Sequence, residues 1–178
     1  MILAIDPSSR NTGWCIGYSI NDPCITGSES FSGYRENLGQ LAKAYSVWLR
    51  KLIEKNPFIE MIVYEQPIRP VKSSLLTLRQ LYTLGSIIEM VAQDHNIPVF
   101  EVNNGSHKKV IYGHGGKKPA EHEAIKRANE WSYRPKNGDE ADACGVHLIT
   151  IRDRYPHNWL KKIAERDFNM CTLKERLI

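Results

Sequence analysis

Four acidic residues stand where a carboxylate can be held rigidly. Asp6 closes the apolar run MILAID, Glu65 closes the run IEMIVYE, and Asp139 and Asp142 lie three apart in GDEADA. A charge at the tip of a buried strand has little freedom, and residues three apart on a helix share a face. If the two strands are parallel neighbours, Asp6 and Glu65 leave the sheet at one edge. Four converging carboxylates repel one another and cost stability unless cations are present. Hard oxygen donors suit Mg²⁺, with Mn²⁺ as a substitute. Two such ions about 4 Å apart are the usual means of breaking a phosphodiester: one activates a water and the other steadies the leaving oxygen. Asp6, on the most rigid element, would bridge both ions, and Glu65 and one of the helical pair would complete one ion each. Each acid alone has a plainer reading. Asp6 before Pro7 makes a turn, and Asp139 makes a helix cap. The combination is what points to a site.

The elements that must position these acids follow from periodicity. MILAID reads as a buried strand. Residues 13–20 and 24–32 read as two more, joined by a turn at Asn21-Asp22-Pro23. An amphipathic helix follows over Tyr34 to Lys55, stopped by Asn56-Pro57. Glu65 ends the fourth strand, and Pro67 forbids its continuation. Ser73 to His95 is a helix capped by Ser73 or Ser74, and residues 97–103 form the fifth strand. Gly85, in mid-helix, costs about 1 kcal/mol against Ala and marks the close approach of a second helix. Residues 104–118 hold a helical stub and the loop YGHGGKK, and 119–131 form a helix. The last acids open a helix over Asp139 to Thr150, where small Ala141, Ala143 and Gly145 let it approach the sheet. A meander followed by alternating helices and strands predicts one α/β domain over 1–178: a mixed five-stranded sheet flanked by helices, with about 155–178 a polar helical extension.

Composition narrows the partners. The chain has 178 residues, 42% hydrophobic and 25% charged, an ordinary globular balance. No apolar run reaches the roughly 20 residues of a membrane helix, and the N-terminus lacks a signal-peptide pattern. A cytoplasmic place is expected, or one free in a nucleoid. The net charge of +4 permits a nucleic-acid partner without requiring one. The basic residues cluster, however. Lys108, Lys109, Lys117, Lys118, Lys126, Arg127 and Arg134 face only three glutamates in their stretch. Cys15, Cys24, Cys144 and Cys171 form no CxxC pair and no finger spacing, so they read as reduced, mostly buried thiols rather than a zinc site. His107, His114 and His122 fit no ligand spacing and read as surface or nucleic-acid-facing histidines.

These segments resemble the RuvC-like Holliday junction resolvases of the RNase H-like superfamily. MILAIDPSSRNTGWCI is similar to the family's opening strand and turn, VYEQP to its second acid, and NGDEADACGVHLI to its D-x-x-D helix. EVNNGSHKKVIYGHGG is similar to its segment with a basic residue five before a G-x-G loop. The match spans about residues 1–152 in order, and the EADA form and the length are most similar to phage and prophage members. The resemblance implies an RNase H-like fold and a homodimer. It also implies Mg²⁺-dependent symmetric nicking of four-way DNA junctions that leaves 5′ phosphates. It carries the catalytic role to Asp6, Glu65, Asp139 and Asp142, and that of the basic residue at the scissile phosphate to Lys108, with Lys109 as a near alternative. It places the dimer interface on the helix 73–95. Pro119 stands at the family's second basic position, so that role passes to Lys117 or Lys118 or is lost. Ile68 and Arg69 stand where the family often carries a stacking aromatic. Arg69, Lys72, Lys109, Lys117, Lys118 and Lys126 are the expected phosphate contacts.

Three rival readings share parts of this pattern. A sugar-kinase or actin-type ATPase shares the opening strand and turn but needs two copies of the fold. Another RNase H-like nuclease, acting on flaps, other branched DNA or RNA–DNA hybrids, is the nearest alternative, although hybrid-cutting enzymes usually place the second acid on a helix. A non-catalytic DNA-binding module would leave the acids as caps and turns.

Overall fold

The computed structural model describes residues 1–18, 24–67, 74–113, 119–157, 159, 163 and 164. β1 (Ile2–Asp6), β2 (Asn11–Gly17) and β3 (Ile25–Ser30) form an antiparallel meander. A 3₁₀ turn (Ser32–Tyr34), α1 (Leu38–Lys55), β4 (Met61–Glu65), α2 (Leu75–Asp94), β5 (Val99–Val102), α3 (Asn104–Tyr112), α4 (Glu121–Glu130) and α5 (Gly138–Arg154) follow. The sheet order is β3-β2-β1-β4-β5, with β4 parallel to β1 and β5 parallel to β4. This is the mixed five-stranded sheet that the sequence predicts, with β1 at its centre.

Strand alternation splits the core in two. Leu3 and Ile5 join Tyr45, Leu49, Leu84 and Ile88 on the side of α1 and α2. Ile2 and Ala4 join Ala124, Ala128, Ala143 and Leu148 on the side of α4 and α5. Both faces of β1 are therefore covered, which is why its sequence is continuously apolar. Four helices start on side-chain caps: Asn37 accepts from the Gln40 amide, Ser74 from Thr77, Asn103 from Gly105 and Asn137 from Glu140. Each such cap is worth about 1 kcal/mol.

Several boundaries differ from the pattern reading. α1 starts at Leu38 because Asn37 takes the cap, and the residues before it form the 3₁₀ turn. α3 ends where Gly113 adopts a left-handed conformation at φ 79°. Within one chain, the atoms nearest a Cβ at Gly85 would belong to Tyr64 and Pro67, at ordinary contact distances of 3.5 to 3.6 Å, and not to a second helix. In the C-terminal segment Tyr155, Trp159 and Ile163 pack on the α5-side core, and the Trp159 ring stacks on Trp131 at 5.2 Å. The turn at Asn21-Asp22-Pro23 and most of the extension lie outside the described residues. Among the described residues no helix is long and apolar enough to cross a membrane.

Candidate active site

Parallel pairing of β1 with β4 runs from Ile2 opposite Met61 to Ile5 opposite Tyr64. One step further, Asp6 and Glu65 end their strands side by side. Pro67 follows two residues after Glu65, so β4 cannot extend past its acid. The sheet edge therefore carries two carboxylates on its two central strands.

α5 brings the other two. Its N-terminus is seated over β2 at Gly13, the residue paired with Asp6. A Cβ at Gly13 would lie 2.0 Å from the Asp139 carbonyl oxygen and 2.9 Å from the Glu140 nitrogen, so only glycine permits this approach. Buried Glu140 locks the arrangement by accepting from Thr26 Oγ1 and from the Lys136 amide, each at 2.9 Å. Asn11 Nδ2 donates to Asp139 Oδ2 at 2.7 Å, fixing that carboxylate beside the β1–β2 turn. The first turn of α5 also presents the positive end of its dipole to these acids. The close approach does not come from Gly145, whose missing Cβ faces Ile111 and His107 of α3 at about 3 Å.

Asp142 is buried and accepts a 2.6 Å hydrogen bond from the Tyr112 hydroxyl. Burial first, and then the charge of Asp142 and its hydrogen bond, push the Tyr112 phenol far above its ordinary range; Asp6 adds to the rise. The hydroxyl is thus a permanent donor near neutral pH, within reach of the charges of Asp142 and Asp6. Glu65 is buried, at 8% exposure. Lys108 Nζ lies 3.8 Å from its Oε1, an ion pair beyond hydrogen-bond reach. His107 lies behind it, Nε2 4.0 Å from Oε2. Burial lowers the His107 pKa despite the neighbouring Glu65 and Asp142, so this contact is a neutral imidazole against a carboxylate rather than an ion pair.

The four acids offer the donor type that a hard divalent cation takes. Their donors are all carboxylate oxygens. Oε1 of Glu65 is buried with no hydrogen-bond partner among the described residues. A buried carboxylate oxygen left in that state costs free energy that a cation would recover.

The structure thus brings Asp6, Glu65, Asp139, Asp142 and Lys108 to one sheet edge. Lys109 and Lys126 are exposed on α3 and α4. Arg69, Lys72, Lys117 and Lys118 lie outside the described residues, as does His114. His122 is exposed, but His107 corrects the surface reading: its side chain is wholly buried. The signal was its position four before Ile111, on the inward stripe of α3. Asn11 and Tyr112 were also missed, because nothing in their local pattern points to Asp139 or Asp142.

No protein-family model matches the chain, and no curated protein matches it by sequence. Solved structures do. Thermus thermophilus RuvC superposes with a TM-score of 0.63 at 14% identity, over 85% of this chain and 95% of that one. T. thermophilus RuvC in complex with a Holliday junction substrate gives 0.68 at 12% identity, over 86% and 94%. The yeast mitochondrial Holliday junction resolvase Ydc2 gives 0.51 at 17% identity, over 97% and 83%. The chain has the RNase H-like fold of the RuvC-type resolvases.

Proposed function

We propose that the protein is a divalent-metal-dependent endonuclease that resolves four-way DNA junctions by paired symmetric nicks. The observation that carries this reading is buried Glu65, ending a strand beside Asp6 with Oε1 lacking a hydrogen bond. A strand-end acid in that state is a ligand in waiting rather than a cap. The fold shared with T. thermophilus RuvC, one of whose structures contains a Holliday junction substrate, supports DNA junctions as the substrate class.

Asp6, Glu65, Asp139 and Asp142 would hold two Mg²⁺ ions, with Mn²⁺ as a substitute, and these would supply Lewis acidity at the scissile phosphate. Asn11 and Tyr112 hold Asp139 and Asp142 in single orientations, so little order has to be created on binding. Lys108 brings its ammonium to the same edge, where it stabilises the charge that develops on the phosphate oxygens. His107 fills the space behind Glu65 and holds water away from it. Lys109 and Lys126 contact backbone phosphates, with Arg69, Lys72, Lys117 and Lys118 as further contacts; such contacts position DNA without reading its sequence. Two symmetric nicks require two sites, hence a homodimer, with α2 as the interface.

The test is incubation with mobile and immobile four-way junctions, with and without Mg²⁺, and mapping of nicks on every arm. Linear duplex, flaps and an RNA–DNA hybrid serve as competing substrates. Paired nicks near the branch point, absent without Mg²⁺, are the expected result. Asp6→Asn should bind the junction and leave it uncut. Preferential cutting of the hybrid would transfer the reading to another RNase H-like nuclease. Survival of Mg²⁺-dependent nicking in Asp6→Asn would remove the metal site from these residues.

A further inference from the structure

A second group of ligating side chains lies on the same face of the sheet, apart from the carboxylates. Cys15 in β2, Cys24 just before β3, and His147 in α5 place their Sγ and ring-nitrogen atoms all within 4.8 Å of one another. Cys15 and His147 are wholly buried and Cys24 is partly so. The sequence reading saw only isolated cysteines, because the ligands come from three elements.

The fold builds this cluster at Gly17. Ile16 pairs with Ile25 across the hairpin, so Gly17 stands opposite Cys24. A Cβ at Gly17 would lie 2.4 Å from Cys24 Sγ and 3.2 Å from His147 Nε2. The thiol and the imidazole therefore occupy the space that any other residue would fill. Cys15 lies two residues before Gly17 and projects from the same face. His147 is oriented from behind: its Nδ1 is 2.8 Å from the Tyr133 hydroxyl, and both groups are buried. This is how a protein fixes a ligating imidazole, holding one nitrogen so that the other faces the ion. Nε2 lies 3.4 Å from the Gly17 carbonyl, a distance at the limit of a hydrogen bond.

We propose that Cys15, Cys24 and His147 form a structural site for a soft divalent cation, Zn²⁺ above all, that ties the β2–β3 hairpin to α5. Thiolate and imidazole donors select Zn²⁺ over the Mg²⁺ preferred by carboxylates. The edge of a tetrahedron built on Zn–S bonds of about 2.3 Å is about 3.8 Å. Closing the cluster therefore needs movements of about 1 Å or less. Binding releases one proton from each thiol, and two thiolates with a neutral imidazole cancel the charge of the ion. A neutral complex is the form that a buried site tolerates.

The test uses the full chain purified under reductant without chelator. Metal analysis should find about one Zn²⁺ per chain that survives Asp6→Asn and Asp142→Asn. Substitution with Co²⁺ should give the intense thiolate-to-metal band in the near ultraviolet, which carboxylates cannot produce. Cys24→Ser should weaken Zn²⁺ by more than about 100-fold, beyond the 10- to 100-fold expected for Tyr133→Phe as an orienting loss. The melting temperature should rise with the logarithm of Zn²⁺ concentration and be unmoved by Mg²⁺ in Asp6→Asn. If Cys24→Ser does not fold, alkylation with peptide mapping decides in the wild-type chain: Zn²⁺ should protect Cys15 and Cys24, and Mg²⁺ should not. Zn²⁺ content unchanged in Cys24→Ser, a Co²⁺ complex without the thiolate band, alkylation insensitive to Zn²⁺, or a Cys15–Cys24 disulfide in place of metal would each overturn the site.

Discussion

The Tyr112 hydroxyl donates a 2.6 Å hydrogen bond to Oδ1 of Asp142, with both groups buried and their residues on different helices. It holds the carboxylate through one of its two oxygens. Tyr112→Phe removes the donor while keeping the ring. The Mg²⁺ concentration for half-maximal nicking should rise about 10- to 100-fold, while stability falls by about 1 to 3 kcal/mol. Metal titration of single-turnover cleavage, paired with a urea unfolding curve, separates the two effects. An unchanged Mg²⁺ requirement would show that the hydrogen bond does not orient a ligand.

Gly13 and Asp139 make the sharpest steric prediction. A methyl group at Gly13 would overlap the Asp139 carbonyl, which is backbone and cannot rotate away. Gly13→Ala should therefore lift the start of α5 off β2, with a loss of about 3 kcal/mol or more and loss of cleavage. Gly33→Ala, where a Cβ would meet nothing within 4 Å, is the control. Equal melting temperatures for the two variants would contradict the close approach.

Burial pushes the phenols of Tyr45 and Tyr133 far above their ordinary value of 10.0. The folded state holds these protons and the unfolded chain releases them above about pH 10. A raised acid contributes its stability fully below the unfolded value and loses it as pH climbs past that value. The urea midpoint should hold up to about pH 9 and fall steeply towards about pH 11. Phenolate absorbance from Tyr133 should appear only with unfolding, and Tyr133→Phe should flatten the decline. A midpoint constant across that window would show that these phenols ionise within the fold.

α2 leaves Leu75, Tyr82 and Met90 at 71%, 54% and 48% exposure, at spacings of seven and eight that put them on one stripe. A homodimer joined through α2, as proposed above, would cover that stripe. Light scattering at micromolar concentration should give twice the chain mass, and Tyr82→Glu should return a monomer that nicks junctions singly rather than in pairs. A monomeric wild-type mass would remove α2 as an interface.

Much of this architecture is legible along the chain, for local physical reasons. Continuous apolar runs ending on Asp6 and Glu65 declare central strands with charged tips, because a strand covered on both faces cannot alternate. Asp139 and Asp142 declare a shared helical face by spacing alone. The cap at Ser74 and the stop at Asn56-Pro57 are likewise local, whereas the cap at Asn37 lies inside the periodic stretch that begins at Tyr34. His107 misleads because Ser106, Lys108 and Lys109 around it are polar, while its own side chain turns inward with Ile111.

By itself, then, the sequence determined the elements and the acids at their ends, since periodicity and residue chemistry act over a few residues. Only the tertiary structure decided what lies against those acids: Tyr112 on Asp142, Asn11 on Asp139, His107 behind Glu65, and the seat that Gly13 gives α5. It also decided that Cys15, Cys24 and His147 meet at Gly17. Each of these contacts joins separate elements across the fold, and the register of packed faces, which no local pattern records, sets which side chains end up within reach.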